Sequence, residues 1–319
     1  MNTALNIGSL QLRTRVLVAS GTFGYGDETR ALTDVRLLGG IVTKSISWNP
    51  RQGNAPSRIA ETASGMLNSI GLANVGVENF ITKKLPALRE LGTTIIANIA
   101  ASSIDEYCDV LLRLEEEEGI DGYEINVSCP NVKEGGLNFG TRCEKTAEIT
   151  RELRKRTKKT LIIKLTPNVT HISEFAKAVE AEGADAVSLI NTLVGMAIDI
   201  RTGKPKLSTI TGGLSGPAIK PVALAKVYEV SKVVSIPIIG IGGIMTWEDA
   251  IEFFLAGASA IQVGTANFID PDAAVKIAHG IEAYCIKEGI EDVANLVGAM
   301  ILPDKNVIAP GFVSLDQAS

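Results

Sequence analysis

A thiol, two lysines and a set of carboxamides share one kind of position in this chain, at or just past the end of a short apolar run. Cys129 follows the run from Tyr123 to Ser128, and Pro130 lacks the N–H that a continuing strand would need. Asn126 and Asn131 flank the thiol, and Gly135, Gly136 and Gly140 follow in a stretch suited to a lid. A proton-handling group between amides under a closing loop suits a small-molecule active site; a buried structural cysteine is the plainer alternative. Lys44 and Lys164 end two other runs, and either can form a Schiff base, hold a carboxylate or sit beside an anionic cofactor ring. A buried ammonium with no such partner would be costly. Asn68, Asn126 and Asn191 each donate and accept at once, which fits a flat ring with alternating C=O and N–H edges, such as a pyrimidine.

Glycines supply a second chemistry. Gly240-Ile-Gly-Gly-Ile244, Val263-Gly-Thr-Ala266 and Gly212-Gly-Leu-Ser-Gly216 offer backbone N–H groups that no side chain obstructs, which is how a phosphate is cradled. Of the other cysteines, Cys108 and Cys285 lie on apolar helical faces and read as core, while Cys143 is ambiguous. The widely spaced cysteines form no disulfide framework and no CxxC site, and with only His171 and His279 available no protein-bound metal is expected.

These groups need a scaffold that gathers run ends. Apolar runs recur at Val16 to Gly21, Ile41 to Ser45, Thr94 to Ala100, Tyr123 to Ser128, Leu161 to Thr166, Ala186 to Thr192, Pro237 to Gly243 and Ala260 to Thr265. Helical patterns follow most of them. Ser103 is placed to cap a helix to Glu118 with Ile104, Tyr107, Cys108, Leu111 and Leu112 on one face, and Gly119 stops it. Ser173 opens a helix through Glu182, Thr246 with Asp249 resembles a capping box, and Asp270-Pro271 reads as a cap followed by an N1 proline. Strand and helix alternating in this way predict an α/β protein, a single (β/α)8 TIM barrel, whose catalytic groups collect at the C-terminal rim of the strands. A doubly wound sheet is the alternative, but no glycine fingerprint follows the first strand. Long insertions are expected after strand two, from Ser47 to about Val77, and after strand six, from Thr192 to Pro221. One domain spans 1–319, with a tail at about 301–319 that has no assigned role.

Composition narrows the partners. The chain has 319 residues, a net charge of -5, 31 glycines and only 5% aromatics, which suits an aliphatic α/β enzyme and argues against a nucleic-acid partner. No run is long enough to span a bilayer and no signal-peptide core is visible, so a reducing cytoplasm is the expected location.

The chain is similar to the dihydroorotate dehydrogenases of pyrimidine (UMP) biosynthesis. The resemblance rests on Ala19-Ser-Gly-Thr-Phe-Gly-Tyr-Gly26, Thr43-Lys-Ser45, Asn68-Ser-Ile-Gly-Leu-Ala-Asn74, Ala97-Asn98, Asn126-Val-Ser-Cys-Pro-Asn131, Lys164-Leu-Thr-Pro167, Asn191-Thr192 and the glycine clusters, in the right order along nearly the whole barrel. Cys129 in place of a serine base resembles class 1, and the continuation to Gly140 resembles class 1B, whose electrons reach NAD through a partner subunit. The resemblance implies FMN as cofactor and dihydroorotate or orotate as ligand. It implies Cys129 as the catalytic base, with Lys44, Asn68, Ser69, Ile70, Gly71, Leu72, Asn126, Asn191 and Thr192 facing substrate. Ser20, Lys44, Ser45, Asn98, Asn126, Lys164, Ile190, Gly216, Gly242, Gly243, Gly264 and Thr265 would face FMN. The implied partner is an electron-transfer subunit carrying FAD and a 2Fe-2S iron-sulfur cluster, docked on a homodimer of this chain in a heterotetramer. Rival readings are a class 1A enzyme that reduces fumarate, a dihydropyrimidine dehydrogenase catalytic subunit, and a Schiff-base aldolase or lyase on a phosphate-binding barrel.

Overall fold

The structure, a computed structural model, describes residues 1–303 except 27, 30 and 129–138. Eight parallel strands close into a barrel: β1 (Val16–Val18), β2 (Gly40–Val42), β3 (Ile95–Ile99), β4 (Gly122–Asn126), β5 (Thr160–Lys164), β6 (Ala186–Leu189), β7 (Ile238–Ile241) and β8 (Ala260–Val263). All eight predicted runs are barrel strands, each ending one to three residues earlier than its run, so the polar run ends lie on the rim loops. The first βα unit is reduced to a single 3-10 turn at Val35–Leu37, while full helices cover the later strands.

Side chains alternate across a strand, so residues two apart share the barrel interior. Leu17, Val42, Ile96, Ile162, Ala186, Ile239 and Ala260 form one apolar layer there. Two residues further along stand Ala19, Lys44, Asn98, Lys164, Ser188, Ile241 and Gln262, which begin the polar upper part of the interior. An N-terminal hairpin, Leu5–Ile7 paired with Leu10–Leu12, packs Ile7, Leu10 and Leu12 against the apolar layer and plugs the barrel floor. Thr160 Oγ1 ties the hairpin down, donating to Ile7 O at 2.7 Å and accepting from Ser9 N at 2.8 Å.

The two predicted insertions are not separate loops. Ile59–Thr62 and Gly65–Asn68 from the first join Leu193–Met196 and Thr211–Ser215 from the second in one four-stranded antiparallel sheet above the rim. Its central pairing sets Gly213 opposite Asn68, with Ala60, Leu67 and Leu207 as a small core.

Helix boundaries differ from expectation in instructive places. Ser103 does cap, accepting from Glu106 N at 3.1 Å, but the helix is Ile104–Glu115 and Leu112 is 45% exposed; Val110 and Leu114 complete the buried face instead. Ser173 lies inside the first turn of Ile172–Ala181, because its hydroxyl donates to Glu229 Oε1 at 2.8 Å. The capping box at Thr246 and Asp249 is present on Trp247–Ala256. The final helix starts at Ala273, two residues beyond the expected N1 proline, while Asp270 accepts from Asp272 N and Lys276 Nζ in the turn before it. Among the described residues no helix is long and apolar enough to cross a membrane.

Candidate active site

A cavity with about 540 Å³ of empty space lies at the C-terminal rim, where β1, β5, β6, β7 and β8 end. Of the predicted residues it is lined by Ser20, Lys164, Ile190, Asn191, Thr192, Gly242, Gly243, Gly264 and Thr265, with Ala19, Thr22, Ile219, Ile241, Ile244 and Met245 between them.

One wall is backbone. Among the described residues, no acceptor is found for the N–H groups of Gly243, Ile244, Gly264 and Thr265, all of which belong to residues lining the cavity. Gly243 has a φ of +74, and a Cβ there would lie 2.8 Å from Gly216 O, so the turn itself requires glycine. Gly264 does not: a Cβ there would meet only Ala19 at 3.7 Å and Thr22 at 3.9 Å. The glycine at 264 preserves room in the cavity rather than a backbone conformation. Unpaired amides around reserved space fit a bound phosphate. The expected helix dipole is weaker than supposed, since Asp249 Oδ2 already accepts from Met245 N at 2.8 Å and Thr246 N at 3.0 Å. After β8 the helix is only Ala266–Ile269. Of the third glycine cluster only Gly216 approaches this wall; Gly212 and Gly213 pack under Asn68 and Thr192. Thr265 Oγ1 bonds Ser215 Oγ at 2.9 Å and joins the wall to the insertion sheet.

The cavity floor is polar. Lys164 is buried and lies 3.5 Å from the carboxylate of Glu124. Asn98 Nδ2 donates to Glu124 Oε1 at 2.7 Å, and Ser45 Oγ donates to Asn98 Oδ1 at 2.6 Å. So Ser45, Asn98 and Lys164 form one bonded set, although the first two do not line the cavity itself.

The amides gather beside it. Asn191 Nδ2 and Ser128 N both donate to Asn126 Oδ1 at 3.2 Å, and Asn68 Nδ2 donates to Gly213 O at 3.3 Å. Ser69, Ile70, Gly71 and Leu72 form the loop after the insertion strand, with Gly71 and Leu72 both at positive φ. Ser69 Oγ is buried without a partner among the described residues. Asn74 fixes the far end of the loop, donating to Leu72 O at 2.8 Å and to Ser47 Oγ at 2.8 Å. Lys44 is half-buried at the end of β2; burial pushes its ammonium pKa down, Arg58 adds to this and Glu28 opposes it. Neither Lys44 nor this loop lines the cavity. Cys129 lies outside the described residues, as does most of the proposed lid.

Sequence reasoning passed over Glu124, Ser188, Gln262 and Asn74. Glu124 sits inside a run read as apolar, and only its spacing of two from Asn126 signals an inward-facing side chain.

Residues 3–285 match the family model described as dihydroorotate dehydrogenase. The chain is 53% identical over 297 residues to the catalytic subunit of dihydroorotate dehydrogenase B (NAD(+)) of Geotalea daltonii, covering 93% of this chain and 97% of that one. It is 52% identical to the protein of the same name from Trichlorobacter lovleyi and 50% identical to that from Bacteroides fragilis, covering 93% of this chain and 98% of each relative. Among solved structures, DHODH from Eimeria tenella superposes with a TM-score of 0.78 at 22% identity, over 93% of this chain and 88% of that one, a likeness of fold. Barrel, rim cavity and sequence agree, and the chain belongs to the dihydroorotate dehydrogenase family.

Proposed function

We propose that this chain oxidises dihydroorotate to orotate in pyrimidine biosynthesis, working as a single FMN-binding barrel. The observation that carries the reading is one rim cavity joining a wall of unpaired glycine-rich amides to a buried lysine, in a chain of this family. The backbone at Gly243, Ile244, Gly264 and Thr265 would hold the FMN phosphate, and Lys164, Ser20, Ile190 and Gly216 would surround the rest. FMN, when bound, supplies the hydride acceptor for C6 of the substrate.

Cys129 acts as the base. Its sulfur takes the proton from C5, and the C5–H electron pair becomes the C5=C6 bond of orotate as hydride leaves C6. A thiol starts near a pKa of about 8.5, close enough to working pH to serve. Asn126, Asn191 and Asn68 orient the ring through its C=O and N–H edges, Ser69 to Leu72 and Thr192 enclose it, and Lys44 supplies positive charge for its carboxylate. Ser128, the residue before Cys129 in sequence, donates its hydroxyl to Lys164 O at 3.0 Å and so hydrogen-bonds the end of β4 to the lysine-bearing strand. The names of the relatives, catalytic subunits of NAD(+)-linked enzymes, support a partner subunit here; the FAD and 2Fe-2S cluster it would carry are what the class 1B resemblance implies.

The test is direct. The purified chain should be yellow and release FMN on denaturation; a colourless chain that refuses added FMN ends the reading. Cys129→Ala should keep FMN and slow its reduction by dihydroorotate by on the order of a hundredfold or more. An unchanged rate would remove Cys129 from the mechanism.

A further inference from the structure

Inside the barrel lies a carboxylate that the proposed reaction does not use. Glu124 is fully buried, and both of its oxygens are engaged. Oε1 accepts from Asn98 Nδ2 at 2.7 Å and lies 3.5 Å from Lys164 Nζ; Oε2 accepts from Ser188 Oγ at 2.9 Å and Gln262 Nε2 at 2.7 Å. Side chains from β3, β5, β6 and β8 thus converge on one group carried by β4. Burying a carboxylate is costly without a cation, and Lys164 is its ion-pair partner among the described residues. The lysine separation exceeds the hydrogen bonds around it. Lys164 is therefore balanced in charge by Glu124 while its N–H groups stay uncommitted, and it lines the cavity.

The carboxylate also fixes polarity. An ionised carboxylate only accepts, so Asn98 turns its NH₂ toward Glu124 and its Oδ1 toward Ser45. Ser45 spends its proton on Asn98 at 2.6 Å and keeps its lone pairs for an incoming donor.

We infer that Glu124 is a positioning residue: it balances the charge of Lys164 beside the cavity, orders Asn98 and Ser45 as a relay of fixed polarity, and so sets the electron affinity of the cofactor bound there. The inference rests on the FMN reading above. Glu124→Gln removes one negative charge at nearly constant volume and leaves the lysine uncompensated. Positive charge favours electron uptake by a neighbouring ring.

The experiment is a potentiometric titration of the FMN-loaded chain. Glu124→Gln should shift the equilibrium toward reduced FMN by about tenfold, an upward shift of about 30 mV for a two-electron couple. In the double variant Glu124→Gln/Lys164→Met the uncompensated cation is gone as well, so the potential should return toward the wild-type value. Where Glu124→Gln does not fold, Glu124→Asp retreats from Lys164 by one methylene and should shift the potential in the same direction by less. A potential unchanged in the variant that folds, or an equal shift with and without Lys164, overturns the inference while the FMN reading stands. A wild-type chain that holds no FMN overturns both.

Discussion

Gly243 and Gly264 look alike in sequence, each following an apolar run, yet they are glycine for different reasons. At Gly243 the backbone requires it; at Gly264 only the cavity does. Gly264→Ala should therefore leave denaturation unchanged while placing a methyl group in the proposed phosphate cradle. An overpacked methyl costs about 1–3 kcal/mol, so FMN affinity should fall about tenfold or more, read by flavin fluorescence titration. Equal affinity would mean that no phosphate sits at that wall. The same scale explains what sequence reading missed. A lone glutamate between Tyr123 and Ile125 has no motif around it, and its partners Asn98, Lys164, Ser188 and Gln262 are scattered along the chain. Only barrel closure puts them within hydrogen-bond range.

At the scale of elements, the helix after β7 is held by one side chain in three ways. Asp249 accepts from the Met245 and Thr246 N–H groups and pairs with Lys220 Nζ at 2.6 Å, anchoring the glycine turn to the two flanking helices. Burial pushes the Asp249 carboxyl up, but the Lys220 bond and the two N–H groups outweigh it and hold the pKa below the ordinary carboxylate range. A depressed folded pKa contributes stability above the unfolded value, near about 3.9, and loses it as pH falls through the folded one. Asp249→Ala should cost about 1–2 kcal/mol in urea denaturation at neutral pH, and the gap from wild type should stay flat to about pH 5 and narrow below about 4. A gap that does not change with pH would show that the charge is immaterial. The insertion sheet was illegible for an element-scale reason. Thr211–Ser215 carries two glycines and little β-branched content, so nothing local marks it as a strand. It becomes one because Gly212 and Gly213 let it approach Asn68 and Thr192 more closely than any side chain would allow.

For the whole molecule, the open question is where the electrons go. Cys108, Cys143 and Cys285 are free and separate, and the sequence has no second nucleotide fingerprint. The isolated chain should reduce a dye with dihydroorotate, show little activity with fumarate, and reduce NAD only after an electron-transfer partner is added. Efficient fumarate turnover, or NAD reduction by this chain alone, would remove the partner from the proposal. The sequence by itself determined the eight strands, their order and the rim groups at their ends, because strand period and chain order are local properties. It also carried the family, whose motifs are contiguous. The tertiary structure decided what depends on closure: the hairpin plugging the floor, the two insertions meeting in one sheet, and the buried carboxylate beneath Lys164. Each of these joins residues far apart in the chain, and local spacing holds no record of which strand faces will meet across a barrel axis.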